Sequence, residues 1–104
     1  MDFKRLSKNL RLDEKEYIDL VNIFIDTSAE DLAALQSAVL QGDTLKALEI
    51  AHSMKGAALN MGLEEFTEIA LAIERELIAG KGAALKPLMQ KFADLLDVLR
   101  RAIE

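Results

Sequence analysis

Apolar residues recur at intervals of three and four positions along most of this chain, which is the spacing of amphipathic helices. The longest such stretch begins at Asp13, a good N-cap residue with Glu16 three positions later, and keeps its phase to about Leu40. Thr27 and Glu30 also match a capping box, so a break at Thr27 is the alternative. Because the apolar phase continues through Thr27, we predict one long helix.

The same spacing predicts four more helices, separated by short connections. They are a short first helix around residues 3–10 and longer ones over about 43–61, 63–79 and 85–103. Gly62 suits the left-handed position after the third helix, and Gly80-Lys81-Gly82 is the clearest loop. Four long amphipathic helices predict an all-α fold. We expect an antiparallel up-and-down four-helix bundle with a short N-terminal accessory helix, and residues 1–104 as a single domain.

Composition agrees with a helical domain and excludes several kinds of site. The chain is 51% hydrophobic and has one proline, no tryptophan and no cysteine. Without cysteine it can form neither a disulfide framework nor a thiolate metal site. Apolar runs are too short for a membrane span, and the N-terminus lacks the apolar stretch of a signal peptide. We therefore expect a cytoplasmic protein with no membrane partner.

The charge pattern argues against nucleic acid as a partner. The formal net charge is −5, and an acidic protein is repelled by phosphate backbones. A basic cluster does occur near the N-terminus, but acidic residues flank it, so we interpret it as a solvated helix face. Its members are Lys4, Arg5, Lys8 and Arg11.

The only histidine, His52, lies on the wrong side of its helix for a structural role. At about 100° per residue it points roughly 160° away from the middle of the apolar stripe of its helix. That stripe consists of Ala47, Ile50, Ala51, Met54, Ala57, Ala58 and Met61. The opposite side, which we call the histidine face, consists of Leu45, Leu48, His52, Lys55, Gly56 and Leu59. Its three leucines predict an apolar docking patch, unless neighbouring helices partly cover Leu48 or Leu59.

Two neighbours of the histidine are informative. A glycine inside a helix costs about 1 kcal/mol relative to alanine, so Gly56 either permits close helix packing or leaves space for an incoming surface. Its outward position favours the second interpretation. Lys55, one turn from the imidazole, would disfavour protonation of the ring and offset the charge of a phosphorylated one. An ordinary surface lysine is equally compatible with this spacing.

A neutral imidazole is a competent nucleophile, but this face supplies few catalytic partners. Ser53 lies about 100° away on the helix, and one histidine with scattered carboxylates is a poor metal site. Glu49, three residues earlier, could accept the other ring N–H and fix the tautomer. The residues alone are compatible either with a histidine that a partner protein must reach or with a surface histidine that has no such role.

These residues resemble the signature of the histidine-containing phosphotransfer (HPt) domain family of bacterial phosphorelays. The family pattern is a histidine, two variable residues, Lys-Gly, and a further glycine six positions on. Here these are His52, Lys55, Gly56 and Gly62. The resemblance extends over nearly the whole chain, because the family fold is a four-helix bundle with accessory helices. The family also includes the N-terminal phosphotransfer domain of chemotaxis kinases, which this motif does not exclude.

The resemblance implies a phosphorelay intermediate that is a phosphocarrier and not an enzyme. His52 would accept a phosphoryl group on Nε2 from a receiver aspartyl phosphate and pass it to another aspartate, with receiver domains or a hybrid histidine kinase as partners. Lys55 would steady the phosphoryl group, Gly56 would give the receiver room, and the leucines would contact it. The chain would need no cofactor of its own, because Mg²⁺ would belong to the receiver.

A docking module of a different class remains the alternative. It would bind a receiver or a partner helix through the histidine face without being phosphorylated. In either case we expect a monomer, because one bundle uses up the apolar stripes.

Overall fold

Aspartate side chains cap the start of the first three helices in the computed structural model, which describes residues 2–104. The helices are α1 (Phe3–Asn9), α2 (Glu14–Leu40), α3 (Thr44–Met61), α4 (Glu64–Ala79) and α5 (Leu85–Ala102). These bounds agree with the predicted elements to within a few residues. Residue 1 of the predicted domain lies outside the described residues.

The start of α2 is a capping box, as predicted. The Asp13 side chain accepts a hydrogen bond from the Glu16 N–H at 2.7 Å, and the Glu16 side chain accepts one from the Asp13 N–H at 3.2 Å. The helix then continues without interruption through Thr27, so the alternative of a break there is wrong. At the far end of α3, Gly62 adopts the left-handed conformation with φ of 71°, which is the position predicted for it.

Helices α2 to α5 pack in a closed ring of consecutive neighbours. Helix α3 packs against α2 and α4, and α5 packs against α4 and α2, while α1 packs on α2. Within residues 2–104 every regular element is helical, which confirms the predicted all-α class. This order of contacts, with short connections, is that of a four-helix bundle carrying an accessory helix.

Aromatic rings fill the interior between three helices, whereas α3 contributes small residues. Phe66 of α4 packs edge-on against Phe24 of α2 at 5.2 Å between ring centres and against Phe92 of α5 at 5.1 Å. The inward positions of α3 are Ala47, Ala51, Met54 and Ala58, all buried. The predicted core stripe of α3 is therefore confirmed, with its flanking members Ile50, Ala57 and Met61 partly buried against the core.

A buried tyrosine connects α2 to the end of α3. The Tyr17 hydroxyl donates a hydrogen bond to the Met61 carbonyl at 2.7 Å, and Phe3 of α1 packs against the Tyr17 ring. Burial raises the pKa of Tyr17, which keeps the hydroxyl a neutral donor. This contact secures the C-terminal end of the helix that carries the histidine. Within the part of the chain described, no helix is long and apolar enough to cross a membrane.

Removing the Tyr17 hydroxyl should destabilise the fold without altering the histidine face. In Tyr17→Phe the Met61 carbonyl loses its side-chain donor, and we expect the free energy of unfolding to fall by about 1 kcal/mol. Urea denaturation with an unchanged m-value would measure this. Asn22→Ala is the control, because it removes an exposed hydrogen bond within α2 and should change stability by less than about 0.5 kcal/mol. Equal stability of Tyr17→Phe and wild type would contradict the expectation.

Candidate functional site

His52 lies in the middle of α3 and projects into solvent. Its side chain is 73% exposed, and Ala51 before it is fully buried. The outward direction predicted from the helical periodicity is therefore confirmed. A rigid helix holds the imidazole where a second protein can reach it.

A carboxylate from the neighbouring helix approaches both His52 and Lys55. Glu74 of α4 places Oε1 at 2.8 Å from Lys55 Nζ and Oε2 at 3.7 Å from His52 Nδ1. The first contact is an ion pair, although Oε1 is buried and makes no well-aligned hydrogen bond. The second is too long for a direct hydrogen bond and is an electrostatic contact. Glu74 is thus the residue that couples His52 to Lys55.

The position of Glu74 distinguishes the two nitrogens of the ring. Only 13% of the Glu74 side chain is exposed, so its negative charge is poorly screened where it faces Nδ1. On electrostatic grounds we assign the proton of the neutral ring to Nδ1, beside the carboxylate. Nε2 then keeps its lone pair. The arrangement suits nucleophilic attack by Nε2.

Gly56 lies beside this site with empty space around it. A Cβ atom built on Gly56 would meet no heavy atom within 4 Å. Close packing within the chain therefore does not require a glycine here, and that interpretation of Gly56 is wrong. Space for an incoming surface stays a prediction for this helix-weakening residue.

The three leucines of the histidine face differ in exposure. Leu45 is 81% exposed and Leu59 is 66% exposed, seven residues to either side of His52. Leu48 is partly buried and packs against the core. The apolar patch on α3 therefore consists of Leu45 and Leu59, and Leu48 is the leucine that neighbouring side chains partly cover.

Sequence patterns do not identify Glu74. They offer Glu49 as a carboxylate that could orient the imidazole, but Glu49 is exposed and the carboxylate that approaches the ring comes from α4. The sequence contains only a weak indication that Glu74 faces another helix: it follows the buried Ile73, at the margin of the apolar stripe of α4. The distance to His52 depends on the register of two helices, which no local pattern specifies.

The remaining chemistry of the site is limited. Ser53 is exposed and adjoins His52 in sequence but not on the helix surface. Among residues 2–104, no three histidine, cysteine, aspartate or glutamate side chains lie close enough together to hold a metal ion. The site consists of one accessible imidazole, one ammonium group, one largely buried carboxylate and an unobstructed glycine.

The family model for the Hpt domain matches residues 19–102, which extend from early α2 to the end of α5. The chain belongs to the Hpt domain family. Hpt domains are phosphocarrier domains that take part in histidine phosphotransfer, and they interact with receiver domains and histidine kinases in phosphorelays. Neither a curated protein nor a solved structure matches the chain.

The tautomer of this Hpt domain's histidine should depend on Glu74. In Glu74→Ala the ratio of Nδ1–H to Nε2–H forms should fall about fivefold, since a charge-assisted contact is worth about 1 kcal/mol. Long-range ¹H–¹⁵N correlation spectra would measure the ratio, with a single imidazole in the chain to observe. Glu49→Ala removes a carboxylate from the same helix as His52 and should leave the ratio unchanged. If Glu49→Ala changes the tautomer ratio more than Glu74→Ala does, then Glu49, and not Glu74, holds the ring proton on Nδ1.

Filling the space at Gly56 should strengthen the isolated domain. Gly56→Ala should raise the free energy of unfolding by up to about 1 kcal/mol, because alanine favours the helix and no atom obstructs its Cβ. Chemical denaturation would measure the gain. Gly42→Ala is the matched control: its Cβ is equally unobstructed, but φ of 71° strains any side chain, so this variant should be destabilised. Destabilisation by Gly56→Ala would show that the glycine serves the fold.

Proposed function

We propose that this protein relays a phosphoryl group between aspartates of receiver domains, with His52 as the transient acceptor. The observation that carries the proposal is the asymmetric environment of the imidazole. The Glu74 carboxylate lies 3.7 Å from Nδ1, while the side chain as a whole is 73% exposed. Membership of the Hpt domain family supports the same chemistry.

The proposed transfer conserves atoms and charge with the groups at hand. The lone pair of Nε2 attacks phosphorus, a nitrogen–phosphorus bond forms, and the bond from phosphorus to the aspartyl oxygen breaks. The aspartate leaves as a carboxylate. The ring proton stays on Nδ1, so the phosphorylated ring is an imidazolium, and Glu74 beside Nδ1 stabilises its positive charge. The reverse sequence delivers the group to a second aspartate.

Lys55 and Gly56 take supporting roles in this transfer. The Lys55 ammonium, held 2.8 Å from Glu74, supplies positive charge near a phosphoryl group that brings about two negative charges. The absence of a side chain at Gly56 lets the receiver approach the ring. Leu45 and Leu59 contact the receiver on either side, and Leu48 contributes only its exposed part.

The partner supplies the remaining machinery. Mg²⁺ belongs to the receiver, where it neutralises the aspartyl phosphate, and this chain contributes no cofactor. We place the protein in the cytoplasm as a monomer that meets a receiver domain or a hybrid histidine kinase. An apolar docking patch around a nucleophile suits such short-lived encounters.

Replacing the histidine should abolish transfer. Wild-type protein incubated with a phosphorylated receiver should acquire an acid-labile, base-stable phosphate, and His52→Gln should acquire none. Ser53→Ala is the control, because it removes the neighbouring nucleophile and should be labelled like wild type. Label that survives His52→Gln would refute the assignment of the acceptor.

A binding measurement on the same variants separates transfer from docking. The exposure of Leu45 and Leu59 is compatible with a module that binds a receiver without being phosphorylated. In that case wild type would take up no label, and His52→Gln would bind the receiver as wild type does. Uptake of label by wild type that depends on His52 would exclude this alternative.

A further inference from the structure

An exposed isoleucine of α4 extends the apolar surface beside His52. Ile78 is 72% exposed and follows Glu74 by four residues, about 6 Å along the helix. Consecutive helices joined by a short turn run antiparallel, and Glu74 lies against His52. One turn further along α4 therefore corresponds to one turn back along α3, so Ile78 lies level with Leu48. The exposed leucine of α3 nearest to this level is Leu45, three residues before Leu48.

The side of α3 turned toward α4 carries His52 and Lys55, and leucines lie near them on the same helix. His52 and Lys55 both contact Glu74, which fixes this side of α3 as the one facing α4. Leu48, Leu59 and Leu45 project from the same side by the helical repeat. Single exposed apolar residues need no explanation, but Leu45, Leu59 and Ile78 are all exposed and lie within about two helical turns of His52 or Glu74. The apolar surface therefore spans two helices.

The chemistry determines what covers this surface. A phosphoryl donor must bring its aspartate to Nε2, so the centre of the contact area is fixed at His52. A standard protein interface covers about 800 Å² on each partner, equivalent to a disc about 16 Å in radius. Leu45 lies two helical turns from His52, about 10 Å along α3. Ile78 lies one turn from Glu74, so both residues fall within this radius.

We propose that Ile78 is a receiver-contact residue, forming with Leu45 an apolar contact on the α3–α4 side of His52. This inference rests on the proposed function, which supplies the receiver. The matching surface is a set of apolar side chains beside the receiver's phosphorylated aspartate. Such a contact strengthens docking and leaves the reactivity of the imidazole unchanged.

The test is the kinetics of transfer from a phosphorylated receiver to Ile78→Glu. A carboxylate at this position would be desolvated in the complex without a partner, so KM for transfer should rise tenfold or more, with kcat at saturation close to wild type. Val98→Glu is the matched control: Val98 is an exposed apolar residue of α5, which packs against α2 and α4. Its KM should stay within about twofold of wild type.

Phosphorylation by phosphoramidate, a small donor that needs no docking, separates the possible failures. Wild type, Ile78→Glu and Val98→Glu should all be labelled on His52 at the same rate. If wild type accepts phosphate from the receiver and Ile78→Glu does so with unchanged KM, the docking role of Ile78 is wrong and the proposed function stands. If no receiver labels wild type, the docking role of Ile78 and the proposed function are both wrong.

A second copy of the chain is the competing occupant of this surface. Sedimentation of the free protein over a range of concentrations tests it. If Ile78→Glu converts a dimer to a monomer and leaves receiver transfer unchanged, Ile78 is a self-association residue and the proposal is overturned. If wild type and Ile78→Glu are both monomers and Ile78→Glu has the raised KM, the receiver is supported as the partner that covers this surface.

Discussion

The small inward face of α3 is the constraint on which the site depends. Ala47, Ala51 and Ala58 are fully buried and face the interior, so α3 can lie near the lower end of the usual spacing between packed helices, about 8 to 10 Å. This brings the Glu74 carboxylate of α4 within reach of His52 and Lys55. The phenylalanines of the other three long helices fill the volume that the small residues leave. Larger side chains on the inward face of α3 would have to push the neighbouring helices apart, which would lengthen the contacts of Glu74 with His52 and Lys55.

Features that depend on one helix alone could be predicted from the sequence. The capping box at Asp13 and the left-handed Gly62 are local backbone signals, and both occur where the residue types require them. The direction of His52 follows from the helical repeat once the apolar stripe is identified. For the same reason the exposure of Leu45, nearly opposite the core, was predictable.

Features that depend on two helices could not be predicted in this way. Periodicity fixes which way a side chain points but not how far one helix slides along another. Helical spacing therefore points to Glu49, a near neighbour in sequence, whereas Glu74, twenty-two residues away, makes the contact. Leu48 could likewise be assigned only once the neighbouring packing was known. Whether Gly56 serves packing also depends on which atoms surround it, and the structure leaves that space empty.

Chemically, the chain contributes position more than catalysis. It holds one nucleophile outward on a stiff helix, balances a buried carboxylate with an ammonium group, and leaves a gap beside them. A small helical bundle suits this role because its core requires nothing from the exposed face, which is free to match a partner.

Because two helices supply the groups around the imidazole, its surroundings exist only in the folded protein. Glu74 is twenty-two residues from His52 in sequence, so a peptide cut from α3 would carry the histidine and the lysine without the carboxylate beside Nδ1. The exposure of His52 is a local property of one helix, whereas the difference between its two ring nitrogens belongs to the whole bundle.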